Sequence, residues 1–260
     1  MEAWLAGILV VIVVVGVAVG GMLVVRRSVQ VSTLERHHDV AGSVYAAIGV
    51  MYAVLLAFAV VVVWNQYDDA VVRTATEAND LVNLFRGAEV FPPATRARIR
   101  SRIQSYVRAV IEDEWPAMAD GKASAAAWTA FSALWRVYLE TEPRNDRERA
   151  WYAESLRRLD ELGDARRLRL LDSRAGVPSL LWATLLIGGA LTIGFSYLFG
   201  TRNVWSQVVM TVALSGLIAL ILFLVSALAK PFGGAARIEP DAFHQLTEIF
   251  SRWNDAGPTP

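Results

Sequence analysis

Residues 41–67 read AGSVYAAIGVMYAVLLAFAVVVVWNQY, with no Asp, Glu, Lys, Arg or His between Asp39 and Asp68. A helix rises about 1.5 Å per residue, so the apolar part of this stretch, 41–64, exceeds a hydrocarbon core of roughly 30 Å. The stretch is a membrane span. No proline or glycine interrupts the chain from Trp64 through Asp68-Asp69 into AVVRTATEANDLVNLF. One helix is therefore expected to run from the membrane into a polar region.

Working outward, three further apolar runs appear. The first, 3–25, is too long for a signal-peptide core and is closed by Arg26-Arg27, so it reads as an uncleaved span. Its Gly16-x-x-x-Gly20-Gly21 would let another helix approach closely. The other two, 177–199 and 204–229, are separated by Gly200-Thr201-Arg202-Asn203 and form a transmembrane hairpin. Between the pairs of spans lies a helical insert, 65–176, with apolar residues at three- and four-residue steps; a C-terminal tail, 230–260, follows the last span. The fold class is all-α: a polytopic membrane protein of four transmembrane helices with a helical soluble insert between the second and third.

Composition agrees and narrows the function. At 55% hydrophobic residues and mean hydropathy +0.38 the chain is an integral membrane protein whose first partner is the lipid bilayer. Formal net charge is zero, which recommends no nucleic acid. Cysteine is absent, and the three histidines form no HExxH. With no GxSxG and no phosphate-cradling glycine loop either, no enzyme, no cofactor and no metal centre is expected. Glu35, Arg36, His37, His38 and Asp39 crowd the loop before the second span, but adjacent histidines lack the three- or four-residue spacing of helical metal ligands. Coupled transport is disfavoured because proton and sodium relays place ionisable groups inside the membrane, and the four spans have none.

A passive pore needs no buried charge. On the second span Gly42, Ala46, Gly49, Ala53 and Ala57 fall near one face, and small faces pack against helices. Tyr45 and Tyr52 lie seven residues apart on one side and carry hydroxyls that need partners. Gly42, Tyr45, Gly49, Tyr52, Ala53 and Leu56 are the candidate pore or helix-packing residues. In the insert, Arg96, Arg98, Arg100 and Arg102 crowd the start of a helix that Glu112-Asp113-Glu114 closes before Trp115-Pro116. That order opposes the helix dipole, so these charges are expected to find partners elsewhere in this chain or in a neighbouring copy. Trp128, Phe131, Trp135 and Tyr138 share one side of the next helix, and Arg166-Arg167-Leu168-Arg169, near the third span, reads as an interfacial basic anchor, with anion recruitment as the alternative.

In this order the residues resemble a known family. Gly42, Tyr52-Ala53-x-x-Leu56-Ala57-Phe58, Trp64, Ala70, Glu77-Ala78, Tyr106, Glu114-Trp115-Pro116, Pro143-Arg144, Arg166-Arg167-x-Arg169, Pro178, Pro231-Phe232-x-Gly234, Pro240 and Phe243 are similar to the pattern of the bacterial bestrophin-like membrane proteins. The resemblance marks Trp64, Glu77, Glu114, Trp115, Pro116, Arg166, Arg167, Arg169, Pro231, Phe232 and Gly234 as family-motif positions. It implies a homo-oligomer in the bacterial plasma membrane that passes chloride or another small anion. The competing class is a non-conducting scaffold or sensor whose insert binds a partner. Charge counting over the short loops, with Arg26, Arg27, Arg36 and Arg202, places the insert outside the cell, whereas bestrophins hold their large soluble part in the cytoplasm.

Overall fold

The computed structural model describes residues 2–28, 38–199 and 203–255, and among them every regular element is helical. The crowded histidine loop falls largely outside the described residues. Helices α1 (Glu2–Ser28), α2 (His38–Gly87), α3 (Pro93–Ala109), α4 (Trp115–Ala119), α5 (Ala125–Leu139), α6 (Asp146–Ser173), α7 (Ser179–Ser196), α8 (Val204–Leu228) and α9 (Asp241–Asp255) follow one another in the chain. They fall into two compact units. The first holds α1, α2 up to Asn65, α7 and α8; the second holds the remainder of α2, α3 to α6 and α9.

Four helices of the described chain are long and apolar enough to cross a membrane: Gly7–Ser28, the apolar part of Ala41–Val90, Ser179–Ser196 and Val204–Leu228. In the first unit close approach is made by glycine, at one of the three positions of α1 to which the sequence pointed and at Gly7, to which it did not. Gly16 and Gly20 have open space beside them, whereas a Cβ on Gly7 would sit 2.3 Å from the Phe223 ring and one on Gly21 would sit 3.1 Å from the Tyr197 hydroxyl. That hydroxyl donates to the Ala18 carbonyl at 2.8 Å. Polar residues of α8 point inward as a stripe of four-residue steps, Gln207, Thr211 and Ser215, all buried. Gln207 accepts a hydrogen bond from Arg26 Nη1 at 2.7 Å.

The second unit has an ordinary apolar core that includes Phe85, Ile99, Ile103, Leu134, Leu159 and Phe250. Phe91-Pro92-Pro93 ends the extension of α2, and Pro93 occupies the first turn of α3, where a missing N–H breaks no helical bond. Ser124 caps α5, and Asn145 caps α6 in a reciprocal exchange with Glu148. The expected closure of the α3 helix before Trp115-Pro116 does not occur. A π turn, Val110–Glu114, carries the helix onward into α4, with the Trp115 N–H bonded to the Val110 carbonyl five residues back. Such a turn inserts an extra residue into the helical winding. It leads directly into Pro116, which has no N–H to give.

Three of the four early basic residues of α3 find partners in this chain: Arg96 and Arg100 pair with Glu89, and Arg98 pairs with Glu140, while exposed Arg102 makes no ion pair among the described residues. The tail contributes α9, whose Phe243, Leu246 and Phe250 are buried. Phe250 stacks on Phe85 at 4.1 Å between ring centroids.

Candidate functional site

Two places hold the residues singled out by the sequence, one in each unit. The first is the spanning part of α2. Its buried stripe is Tyr52, Leu56, Ala59 and Val63, and the Tyr52 hydroxyl donates to the Leu185 carbonyl at 2.9 Å. The Tyr52 ring lies over Gly188 and Gly189 of α7, where a Cβ would come within 2.8 Å of it. These two glycines were not singled out; the adjacent pair inside an apolar run was the available signal. Tyr45 stacks on Phe195 at 5.9 Å.

Gly42 and Gly49 behave differently. Nothing lies within 4 Å of the position a Cβ would take on either, and Ala46, Ala53 and Ala57 are exposed. At 100° per residue this small stripe is turned about 90° from the stripe that packs. Tyr52 and Leu56 thus serve packing within the chain, while Gly42, Gly49 and Ala53 form a face that the chain leaves open. Trp64, at the end of the apolar run, is 57% exposed.

The second place is a fully buried ionic cluster in the second unit. Arg169 on α6 donates Nε to Glu77 Oε2 at 2.6 Å and Nη2 to Glu77 Oε1 at 3.0 Å. The same Nη2 donates to Glu114 Oε2 at 2.8 Å. Arg166, one turn earlier, makes a two-pronged contact with Glu114, Nη2 to Oε1 at 2.5 Å and Nε to Oε2 at 3.2 Å. Tyr106 on α3 donates its hydroxyl to Glu77 Oε1 at 2.6 Å, and Arg169 Nη1 lies 2.9 Å from Met118 Sδ.

Glu77, Glu114 and Arg169 have no exposed surface that matters, and Arg166 is 3% exposed. Removing such charges from water costs several kcal/mol per ion, which only close pairing and added hydrogen bonds offset. Two arginines and two glutamates make the cluster neutral. Burial alone would lower the pKa of Arg169, but the charge and hydrogen bonds of Glu77 outweigh it and hold the guanidinium above its ordinary value. Burial, reinforced by the charge of Glu77, pushes the Tyr106 phenol well up, so it stays a neutral donor.

Aromatic rings close the cluster. The Arg169 guanidinium lies 5.4 Å from the Trp115 ring centroid and 5.6 Å from that of Phe243. Arg166 lies 5.3 Å from Trp128 and 5.6 Å from Phe131. Phe232 meets Trp115 edge-on at 5.4 Å, and Trp115 Nε1 donates to the Ile238 carbonyl at 3.0 Å. Pro231 and Gly234 belong to the turn that delivers Phe232: the Gly234 N–H bonds Lys230 O and the Pro231 carbonyl accepts from Ile238. Pro116 lies in the first turn of α4 beside the cluster.

The reading of Arg166, Arg167 and Arg169 as one interfacial anchor is corrected here. Arg166 and Arg169 point into the unit and are spent on carboxylates; only Arg167 is exposed, paired with Asp164. Sequence inspection also misses Met118 as a cluster neighbour, since nothing in its local spacing marks it, and it places Phe131 only on the aromatic side of α5. Chemically the cluster ties α2, α3, the π turn and α6 together. Its carboxylates are saturated by arginine, and among the described residues no group of three His, Asp or Glu side chains could hold a metal ion.

Comparison with known proteins covers nearly the whole chain. Residues 12–243 match the model of the Bestrophin-like domain. No curated protein matches the sequence. Among solved structures, a bacterial bestrophin homolog from Klebsiella pneumoniae superposes with TM-score 0.69 at 16% identity, covering 96% of this chain and 99% of that one. Two single-residue variants of that homolog give TM-scores of 0.70 and 0.71 at 15% and 14% identity, covering 95% and 93% of this chain and 99% and 97% of theirs. At such identity the likeness shows a shared fold. With the family model spanning most of its length, the chain belongs to the bestrophin-like family.

Proposed function

We propose that several copies of this chain assemble in the bacterial plasma membrane into an anion-permeable pore, with the small-residue face of α2 at the contacts between copies or along the pathway. The carrying observation is the open stripe of Gly42, Gly49 and Ala53 beside a stripe, Tyr52 and Leu56, already used for packing. Glycine and alanine faces allow close helix approach in lipid, where association has no hydrophobic drive. The buried ionic cluster holds the second half of α2 in place and is assigned no contact with the ion.

Chloride and potassium efflux from liposomes carrying the purified protein tests this, with empty liposomes as control. Chloride-selective release that disappears in Gly49→Leu and Ala53→Leu, while Trp128→Phe leaves it unchanged, is the expected result. A protein that releases neither ion across pH, calcium and membrane tension, and runs as a monomer, would instead be a scaffold or sensor. Because the chain lacks cysteine, a single cysteine at Arg149, on α6, reports the side of the insert. Labelling by an impermeant maleimide in intact cells agrees with the charge count over the short loops; labelling only after permeabilisation gives the cytoplasmic side implied by the resemblance.

A further inference from the structure

A cavity of about 700 Å³ lies along α5 and α6 in the second unit. Small-molecule sites of roughly 300–1,000 Å³ are mostly apolar with a few placed polar groups. The floor here is aromatic: Phe131 is buried, Trp135 half-buried, and Trp128 is 60% exposed although it belongs to the polar unit. Gly163 keeps the floor open, since a Cβ there would come 3.2 Å from the tip of Phe131.

The wall opposite is one face of α6. Arg167 and Arg174 each stand three or four residues from the adjacent pair Leu170 and Leu171, and all four line the cavity. An arginine thus stands on either side of a leucine pair. Arg167 is paired with exposed Asp164, and Arg166, on the floor, is spent on Glu114. Arg174 has no carboxylate partner among the described residues; its Nε donates to the Gly121 carbonyl at 3.1 Å. Its remaining guanidinium donors are exposed beside the apolar wall. The acidic lining residue without a partner, Asp160, lies fourteen residues earlier on the helix, about 21 Å away and beyond a Debye length of about 8 Å.

We propose that this cavity binds a small organic monoanion with a flat aromatic body, an aromatic carboxylate. The ring lies between Trp128 and the Leu170 and Leu171 wall, and the carboxylate meets the Arg174 guanidinium. A planar guanidinium suits a carboxylate because it offers paired donors. Indole and guanidinium faces together suit a flat ring. The site is independent of whether the chain conducts ions.

The test is calorimetric titration of naphthoate into the full chain in lipid nanodiscs, with empty nanodiscs subtracted and naphthalene methanol as the uncharged match. Saturable naphthoate binding is expected, weaker by at least about tenfold for the alcohol and for Arg174→Gln, as befits a lost charged hydrogen bond. Trp128→Ala should weaken both compounds. Arg174 and Trp128 are exposed, so these variants keep the fold, which helical circular dichroism and the elution profile verify. Arg149→Gln, on α6 but away from the cavity, should bind as the parent does. Absence of saturable binding, equal binding of the alcohol, or full affinity in Arg174→Gln each overturns the proposal; the first is also what a second copy seated over the groove would give.

Discussion

In the first unit the Tyr52 hydroxyl donates a hydrogen bond to the carbonyl of Leu185, whereas in the second the Tyr106 hydroxyl donates to the carboxylate of Glu77. Both tyrosines are buried, and the two neighbourhoods are built differently. Around Tyr52 the helices meet through glycine, and the hydroxyl partner is backbone. Around Tyr106 two arginines and two glutamates are enclosed by large apolar side chains. A bilayer offers no water to drive apolar residues together, so the spanning helices rely on close fit and few polar contacts. The polar unit gains from every apolar side chain it removes from water, and that gain carries the cost of burying four charges.

The contrast is most easily broken at Glu114. Glu114→Gln leaves Arg166 without its carboxylate and the buried cluster with one uncompensated positive charge, and a lost stability of about 3–5 kcal/mol is expected, read as a large fall in the thermal unfolding midpoint. Replacing all four charged partners together, Glu77→Gln, Glu114→Gln, Arg166→Met and Arg169→Met, should cost less than that single change, since no uncompensated charge remains. Equal or greater damage in the quadruple variant would mean that the cluster stabilises the unit outright.

Gly233→Ala ranks next. A Cβ there would sit 2.4 Å from the Ala119 carbonyl oxygen, a backbone atom that cannot swing aside. Displacement of the turn carrying Phe232 should cost about 1–3 kcal/mol, the usual range for overpacking. Protease nicking between the last span and α9 would report it. Tyr52→Phe in the first unit removes one hydrogen bond and no volume. The expected loss is about 0.6 kcal/mol, as for interhelical hydrogen bonds in lipid generally. A loss as large as that of Glu114→Gln would erase the distinction between the two units.

The smallest effect is a slope with pH. Burial, aided by nearby Asp69, raises the carboxyl of Asp172 above its ordinary value even though Arg73 beside it acts the other way. One of its oxygens, Oδ2, is buried without a hydrogen-bond partner. A raised carboxyl binds its proton more tightly folded than unfolded. Its contribution is therefore fully present below the unfolded pKa, near 3.8, and is lost as pH rises through the folded value. Asp172→Asn should flatten unfolding midpoints measured across that window.

Legibility followed the range of the forces involved. Hydropathy marked the spans because lipid acts on each helix separately, whatever its neighbours are. The tail helix carries a local signal in Phe243, Leu246 and Phe250 behind Pro240, but nothing nearby in the chain shows what it packs on, because its partner, Phe85, lies far away in sequence. Arg166 and Arg169 look like surface charge beside a span; only folding brings Glu77, ninety-two residues away, against Arg169. The π turn was invisible, since Trp115-Pro116 reads as a helix stop unless the helix winds in an extra residue before it.

The sequence by itself determined four apolar helices, a helical polar region continuous with the second of them, and the absence of a catalytic or metal-ligating pattern. Periodicity and hydropathy are properties of neighbours in the chain, and they suffice for that. Tertiary structure alone decided which face of α2 packs and which stays open, that two arginines are buried while a third remains on the surface, and that α5 and α6 leave a cavity between an aromatic floor and an arginine-flanked wall. Each of these depends on what lies opposite a side chain, and residues tens of positions away supply it.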